Sequence, residues 1–299
     1  MNLKRLDELI VLARQRKKRK LVVAAAQDVH VLQAVCKASS DKIVDPVLIG
    51  DKSLIQKILK DLAADPNLFE IIDVQEPESA CARAVTLIKR GEAEILMKGL
   101  VPTAPFLKAI LNKEDGIRKQ EVLSHFALFE IPTYHKLLGV TDAAMNINPS
   151  LEEKVSIINN AIEVYHRLGI KKPKVAVVGP LEVVNPKIDS TVHASMLSTM
   201  NRQNRITGCV IEGPLALDNA VSKEAAELKG IKSGVAGDAD IIVTPDLNSG
   251  NILYKSLIFL GNSISAAIIM GATSPVVLTS RADSEISKFM SIVLAAAMD

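Results

Sequence analysis

The sequence contains no tryptophan, and only three tyrosines and six phenylalanines among 299 residues. Single-stranded nucleic acid is held on aromatic platforms set among basic residues, so this scarcity excludes a stacking-type binder. An excess of charge is also missing. Thirty-six basic against 34 acidic side chains leave a formal +2, too little to draw the chain to a polyanion or an anionic membrane. Cys36, Cys81 and Cys209 are few, odd in number and widely spaced, which excludes a disulfide framework and predicts reduced core thiols of a cytoplasmic protein. No apolar run approaches the roughly 18 residues of a membrane span; Ile252–Leu260 and Ile264–Met270 are far too short. Walker A, Gly-x-Gly-x-x-Gly and Gly-x-Ser-x-Gly patterns are absent. The five histidines, His30, His125, His135, His166 and His193, form neither an H-x-x-x-H pair nor a Cys/His cluster, so no zinc site is expected.

What is present is the composition of a globular enzyme: 48% hydrophobic and 23% charged, in a length that fits about two domains. A basic run from Arg14 to Lys20 precedes the apolar Leu21–Ala26, but that stretch is shorter than the roughly 7–15 residues of a signal-peptide core. Leu3, Leu6, Leu9, Ile10 and Ala13 recur at helical spacing, so the basic residues are expected at a helix C-terminus, where they favour its dipole. Beyond it, short β-branched runs (Leu21–Ala26, Pro46–Gly50, Phe69–Val74, Glu94–Met97) alternate with amphipathic stretches (Val29–Ala38, Ser53–Ala64, Ser79–Arg90, Thr103–Leu111). The pattern resets with a strand expected at Val140–Ile147 and a helix at Leu151–Leu168, and continues through the strand Lys174–Val178 to an apolar last helix, Ser284–Ala297. Such alternation predicts an α/β protein of two three-layer lobes, each on a parallel sheet with right-handed crossovers.

In sheets of this kind ligands bind beyond the carboxyl ends of strands, so the loops after strands are the first candidates. Ile241–Val243 leads through Pro245, Asp246, Asn248, Ser249, Gly250 and Asn251 to a helix expected at Ile252. Its amides suit an anion, and its Ser and Asn suit equally a capping segment. After Leu278 come Ser280, Arg281, Asp283 and Glu285: a forked cation, a hydroxyl and two carboxylates for phosphate chemistry, or a helix cap beside a surface cation. Gly213-Pro214 after a third strand is first a turn signal and second a ligand contact. Met97 to Thr103 form a similar loop earlier in the chain, where Lys98 and Lys108 are spare cations that could face a cleft, with Lys108 equally readable as a solvated helix residue.

At these loops the sequence resembles a known family. Gly213-Pro214-Leu215-Ala216-Leu217-Asp218, Pro245–Asn251 with Tyr254-Lys255, and Ser280-Arg281 are similar in order and spacing to the phosphate acetyltransferases and butyryltransferases. Met97–Thr103 and Thr279–Ser284 look most like the butyryltransferase branch. The resemblance implies a fold similar to isocitrate and isopropylmalate dehydrogenases, with residues 1–135 plus 275–299 as one lobe, 136–274 as the other, and the site in the cleft between them. It also implies a dimer or higher homo-oligomer and reversible transfer of a short-chain acyl group between coenzyme A and inorganic phosphate. Coenzyme A is then a substrate, and neither a metal nor another cofactor is expected.

Under this resemblance Arg281 holds phosphate, Ser280 bonds the sulfur or the oxyanion, and Asn248, Ser249 and Gly250 supply further donors. Two positions depart from the acetyltransferase pattern. Ser287 stands where those enzymes carry an aspartate proposed to deprotonate the thiol, leaving Asp283 and Glu285 as the nearest carboxylates. Lys108 replaces an arginine, exchanging a fork for a point charge. Alternatives are acetyl-CoA as the substrate, a non-catalytic ligand-sensing homologue, and a metal- and NAD-dependent dehydrogenase. The last needs clustered aspartates, whereas Asp238 and Asp240 alternate along the chain.

Overall fold

A computed structural model describes residues 3–280 and 283–298. Helix α1 (Asp7–Arg14) is followed by β1 (Arg19–Ala24), α2 (Val29–Ser40), β2 (Val44–Gly50), α3 (Lys52–Asp61), β3 (Glu70–Asp73), α4 (Pro77–Lys89), β4 (Ile95–Lys98) and α5 (Thr103–Ile110). The middle of the chain adds β5 (Ser124–Glu130), β6 (Leu138–Thr141), α6 (Leu151–Arg167), β7 (Lys174–Val178), α7 (Asp189–Arg202) and β8 (Val210–Leu215). Then come α8 (Leu217–Val221), α9 (Lys223–Leu228), β9 (Ile241–Val243) and α10 (Leu247–Phe259). Strands β10 (Ile264–Met270) and β11 (Val276–Val277) and helix α11 (Glu285–Ala297) complete it.

Two compact units result. A terminal unit joins Asp7–Leu123 to Ala266–Asp299, and a middle unit joins Met1–Leu6 to Ser124–Ser265. Their borders fall earlier in the chain than the expected 135/136 and 274/275, because β5 pairs with β6 in the middle unit and β10 with β11 in the terminal one.

In the terminal unit the strand order is β3-β2-β1-β4-β11-β10. Strands β1 to β4 are parallel, as continuous apolar runs between helices require. Asp28 starts α2 and Asp51 starts α3, each carboxylate accepting an amide of the first turn. Helix α11 is buried at every position from Ser287 to Ala297 and packs on α1 and α2. The Arg19 guanidinium donates to the carbonyls of Ala295 (3.2 Å) and Met298 (2.7 Å) at its C-terminal end. One member of the basic run is therefore a cap for α11, while Arg14 ends α1 as expected and pairs with Asp41.

In the middle unit the order is β5-β6-β9-β7-β8. Two expectations need correction here. Parallel pairing is not universal: β5–β6 and β10–β11 are antiparallel, because residues 131–137 and 271–275 are too few for a crossover of about a dozen residues. Strand β6 also ends at Thr141 rather than Ile147. The Asp142 carboxylate accepts the amides of Ala144 (2.9 Å) and Met145 (3.0 Å), which turns the chain out of the sheet. Strand β5, fully buried but for its last residue, carries Ser124 and His125 at its start and has no counterpart among the expected elements. Among the described residues no helix is long and apolar enough to cross a membrane.

Candidate functional site

In the middle unit the ends of β7 and β9 and the starts of α6, α7 and α10 line one cavity of about 800 Å3. Each helix start carries partial positive charge, so three such starts around one space favour polar or anionic matter there. Two of them are already capped. At α6 the Ser150 hydroxyl accepts the Glu153 amide (3.2 Å), and the Glu153 carboxylate accepts the Ser150 amide (2.7 Å). At α10 Asp246 accepts the Ser249 amide (2.9 Å) and hydroxyl (2.8 Å). Burial alone would raise the Asp246 pKa, but these bonds outweigh it and hold the carboxyl below its ordinary range.

The remaining charged lining is Lys154 and Asp189, with His193 between them in character. Lys154 is only 4% exposed, and its ammonium lies 3.0 Å from His193 Nδ1. Burial lowers the Lys154 pKa, against the opposing fields of Asp246 and Asp189. Burial, followed by the Lys154 charge, lowers that of His193. Neither residue was singled out from the sequence. The available signal was Lys154 itself, a lysine in register with Leu151, Ile158 and Ala161 on the buried stripe of α6.

The expected residues fall into separate groups. Asp246 and Ser249 line the cavity, but α10 starts at Leu247, a turn and more before the expected Ile252. The amides thought to be open for an anion are therefore engaged: Asn248 and Ser249 bond the Asp246 carboxylate, and Gly250 bonds the Asp246 carbonyl. Gly250 is there for close approach, since a Cβ would sit 2.2 Å from the Asp142 carbonyl oxygen. Asn251 fixes the same contact by donating to the Ala143 carbonyl at 3.2 Å. Gly213 and Pro214 form no turn; they lie inside β8, on the edge of this unit's strand order, where a missing N–H is tolerated. Pairing with β7 shifts register there, and a Cβ on Gly213 would come within 2.8 Å of the Val177 carbonyl oxygen.

The other candidates belong to the terminal unit. Ser280 is exposed, and its amide donates to the Asp283 carboxylate at 2.6 Å. Arg281 lies outside the described residues. Glu285, in the first turn of α11, faces His30 at 3.7 Å. Ser284 caps α11 through the Ser287 amide (3.2 Å), so Ser287 is a buried capping partner at its position. Lys98 reaches the carbonyls of Gly99 (3.3 Å) and Val101 (3.0 Å) in the loop before α5. Thr103 and Lys108 are exposed on that helix. Among the described residues no group of three or more His, Cys, Asp or Glu side chains is placed to hold a metal. Asp238 and Asp240 instead pair with Lys136, at 3.0 and 2.6 Å.

A sequence profile of the family described as phosphate acetyl/butaryl transferase matches residues 5–83 and 78–296. The phosphate butyryltransferase of Clostridium beijerinckii is 45% identical over 98% of this chain and 97% of its own length. The phosphate acetyltransferase of Thermotoga maritima is also 45% identical, over 97% of this chain and 98% of its own. A crystal structure of a branched-chain phosphotransacylase from Enterococcus faecalis superposes with a TM-score of 0.83 at 34% identity, covering 93% of this chain and 98% of that one. Matches of this extent and identity leave one assignment: the chain belongs to the phosphate acetyl/butaryl transferase family.

Proposed function

We propose that the protein is an acyltransferase that moves a short-chain acyl group between coenzyme A and inorganic phosphate, with butanoyl-CoA + phosphate = butanoyl phosphate + CoA as its reaction. The observation that carries this reading is the 45% identity to a phosphate butyryltransferase along nearly the whole of both chains. The equal identity to a phosphate acetyltransferase supports acetyl-CoA as a second substrate. One methylene in an apolar pocket discriminates by only about 1–3 kcal/mol, so a broad preference among short acyl chains is expected.

In the acyl-CoA-forming direction the sulfur attacks the carbonyl carbon of the acyl phosphate. A C–S bond forms, the C–O bond to phosphate breaks, the thiol proton passes to a base, and phosphate leaves with the electron pair. A free thiol has a pKa of ~8.5, so a base or cation beside it raises the reactive fraction. We assign the leaving phosphate to Arg281, the sulfur or oxyanion to Ser280, and the proton to Asp283 or Glu285. The reaction passes through a ternary complex without a metal, and coenzyme A is consumed as a substrate. Lys98, Thr103, Lys108, Gly213, Pro214, Asp246, Asn248, Ser249, Gly250 and Asn251 are assigned to substrate binding.

We place the enzyme in the cytoplasm, as a homodimer or higher homo-oligomer. Helix α10 supports the oligomer: Gly250 is its one buried residue, and Phe259 and the adjoining Leu260 are 69% and 85% exposed. The reading is tested by thiol release from acetyl-, butyryl-, isobutyryl- and isovaleryl-CoA with phosphate. Phosphate-dependent release from at least one of them is expected, and none from any would overturn it.

A further inference from the structure

A buried ammonium is costly unless an opposite charge or hydrogen-bond acceptors surround it. Lys154 is such a group. It is buried beside the cavity of the middle unit, its one hydrogen-bonding partner is His193, and no carboxylate forms an ion pair with it among the described residues. The nearby acids do not fill that role. Glu153 is exposed and bonded to the Ser150 amide, Asp246 caps α10, and Asp189 is exposed to water. A charged Lys154 can only donate, so His193 Nδ1 accepts and its Nε2 carries the proton, which makes the pair a double donor. Residues 188–190 line the same space, and no side chain caps the start of α7 there.

We propose that this cavity binds a phosphoryl group, with Lys154 as its counter-charge and His193 and the start of α7 as further donors. The assignment rests on the proposed acyl transfer only for the source of that group. The source is either inorganic or acyl phosphate, or a phosphate of coenzyme A.

The full chain is titrated calorimetrically with inorganic phosphate and, separately, with adenosine 3′,5′-bisphosphate, in the parent, Lys154→Met and His193→Ala proteins. Binding of at least one probe to the parent is expected, weakened about 10-fold or more in Lys154→Met and in His193→Ala. The inorganic arm identifies free or acyl phosphate, and the bisphosphate arm coenzyme A. If Lys154→Met fails to fold, His193→Ala decides. No binding of either probe, or equal affinity in parent and variants, overturns the proposal. Binding is read without turnover. An inactive chain with Lys154-dependent affinity would overturn the acyl transfer alone, and an active one with Lys154-independent affinity the cavity assignment alone.

Discussion

The buried ammonium of Lys288, on the first turns of α11, donates back to the carbonyl of Ser280 at 3.1 Å. It also donates to the carbonyl of Asp283 at 2.5 Å, so one ammonium holds the same two residues that the Ser280 amide and the Asp283 carboxylate join. The loop assigned to phosphate chemistry is thus tied to the core by a residue that touches no substrate in the proposed reaction.

Replacing Lys288 by Met removes two charge-assisted bonds, while the Ser280 carbonyl keeps the Asp283 amide at 3.2 Å. Turnover is expected to fall about 10- to 100-fold, the scale on which small misplacements of reacting groups act. Amide exchange across residues 280–285 should quicken at the same time. A variant with parental exchange and turnover would show that the tie does not position the loop.

For Arg281→Ala the expectation is a loss of about 100-fold or more in turnover with the melting temperature unchanged, since donors aimed at developing charge act mainly in the transition state. Steady-state assay at saturating phosphate checks it. A parental rate there would remove Arg281 from the site.

The cysteines are expected to be dispensable. Burial pushes the thiols of Cys81 and Cys209 up to about 11, with Lys98 and Lys172 respectively pulling weakly the other way. At pH 7 each is then a thiolate about once in ten thousand molecules, too seldom to serve as an acyl carrier. Cys81→Ala and Cys209→Ala should keep the rate, and initial-rate patterns should intersect. A trapped acyl-cysteine or parallel patterns would contradict this.

Asp238 gives stability a defined pH dependence. Burial would raise its pKa, but hydrogen bonds from Lys174, Lys136 and His135 outweigh that and hold the carboxyl below its ordinary range. A folded-state pKa below the unfolded one stabilises above pH ~4 and loses that contribution as pH falls from there towards the folded value. Asp238→Asn is expected to cost about 1–3 kcal/mol at neutral pH, since Lys136 keeps its bond to Asp240 at 2.6 Å. The difference from the parent should shrink below pH ~4, as read by chemical denaturation across pH. A pH-independent difference would mean that the charge is not what Asp238 contributes.

The sequence by itself determined the α/β class, most helices and parallel strands, and the family. Each is written locally: apolar period, Asp and Ser at helix starts, and loop motifs such as Pro245–Asn251 in a fixed order. It did not show β5, whose opening Ser124 and His125 mask a buried strand; Ser124 is matched there by Asn160, 36 positions away, at 2.9 Å. Nor did it show that Gly213-Pro214 continues a strand, because only an edge position beside β7 makes that possible. The Lys154–His193 pair and the Lys288 tie were decided by tertiary structure alone. A lysine on an apolar stripe announces that something must meet its charge, but what meets it arrives from other parts of the chain, and no local pattern encodes that distance.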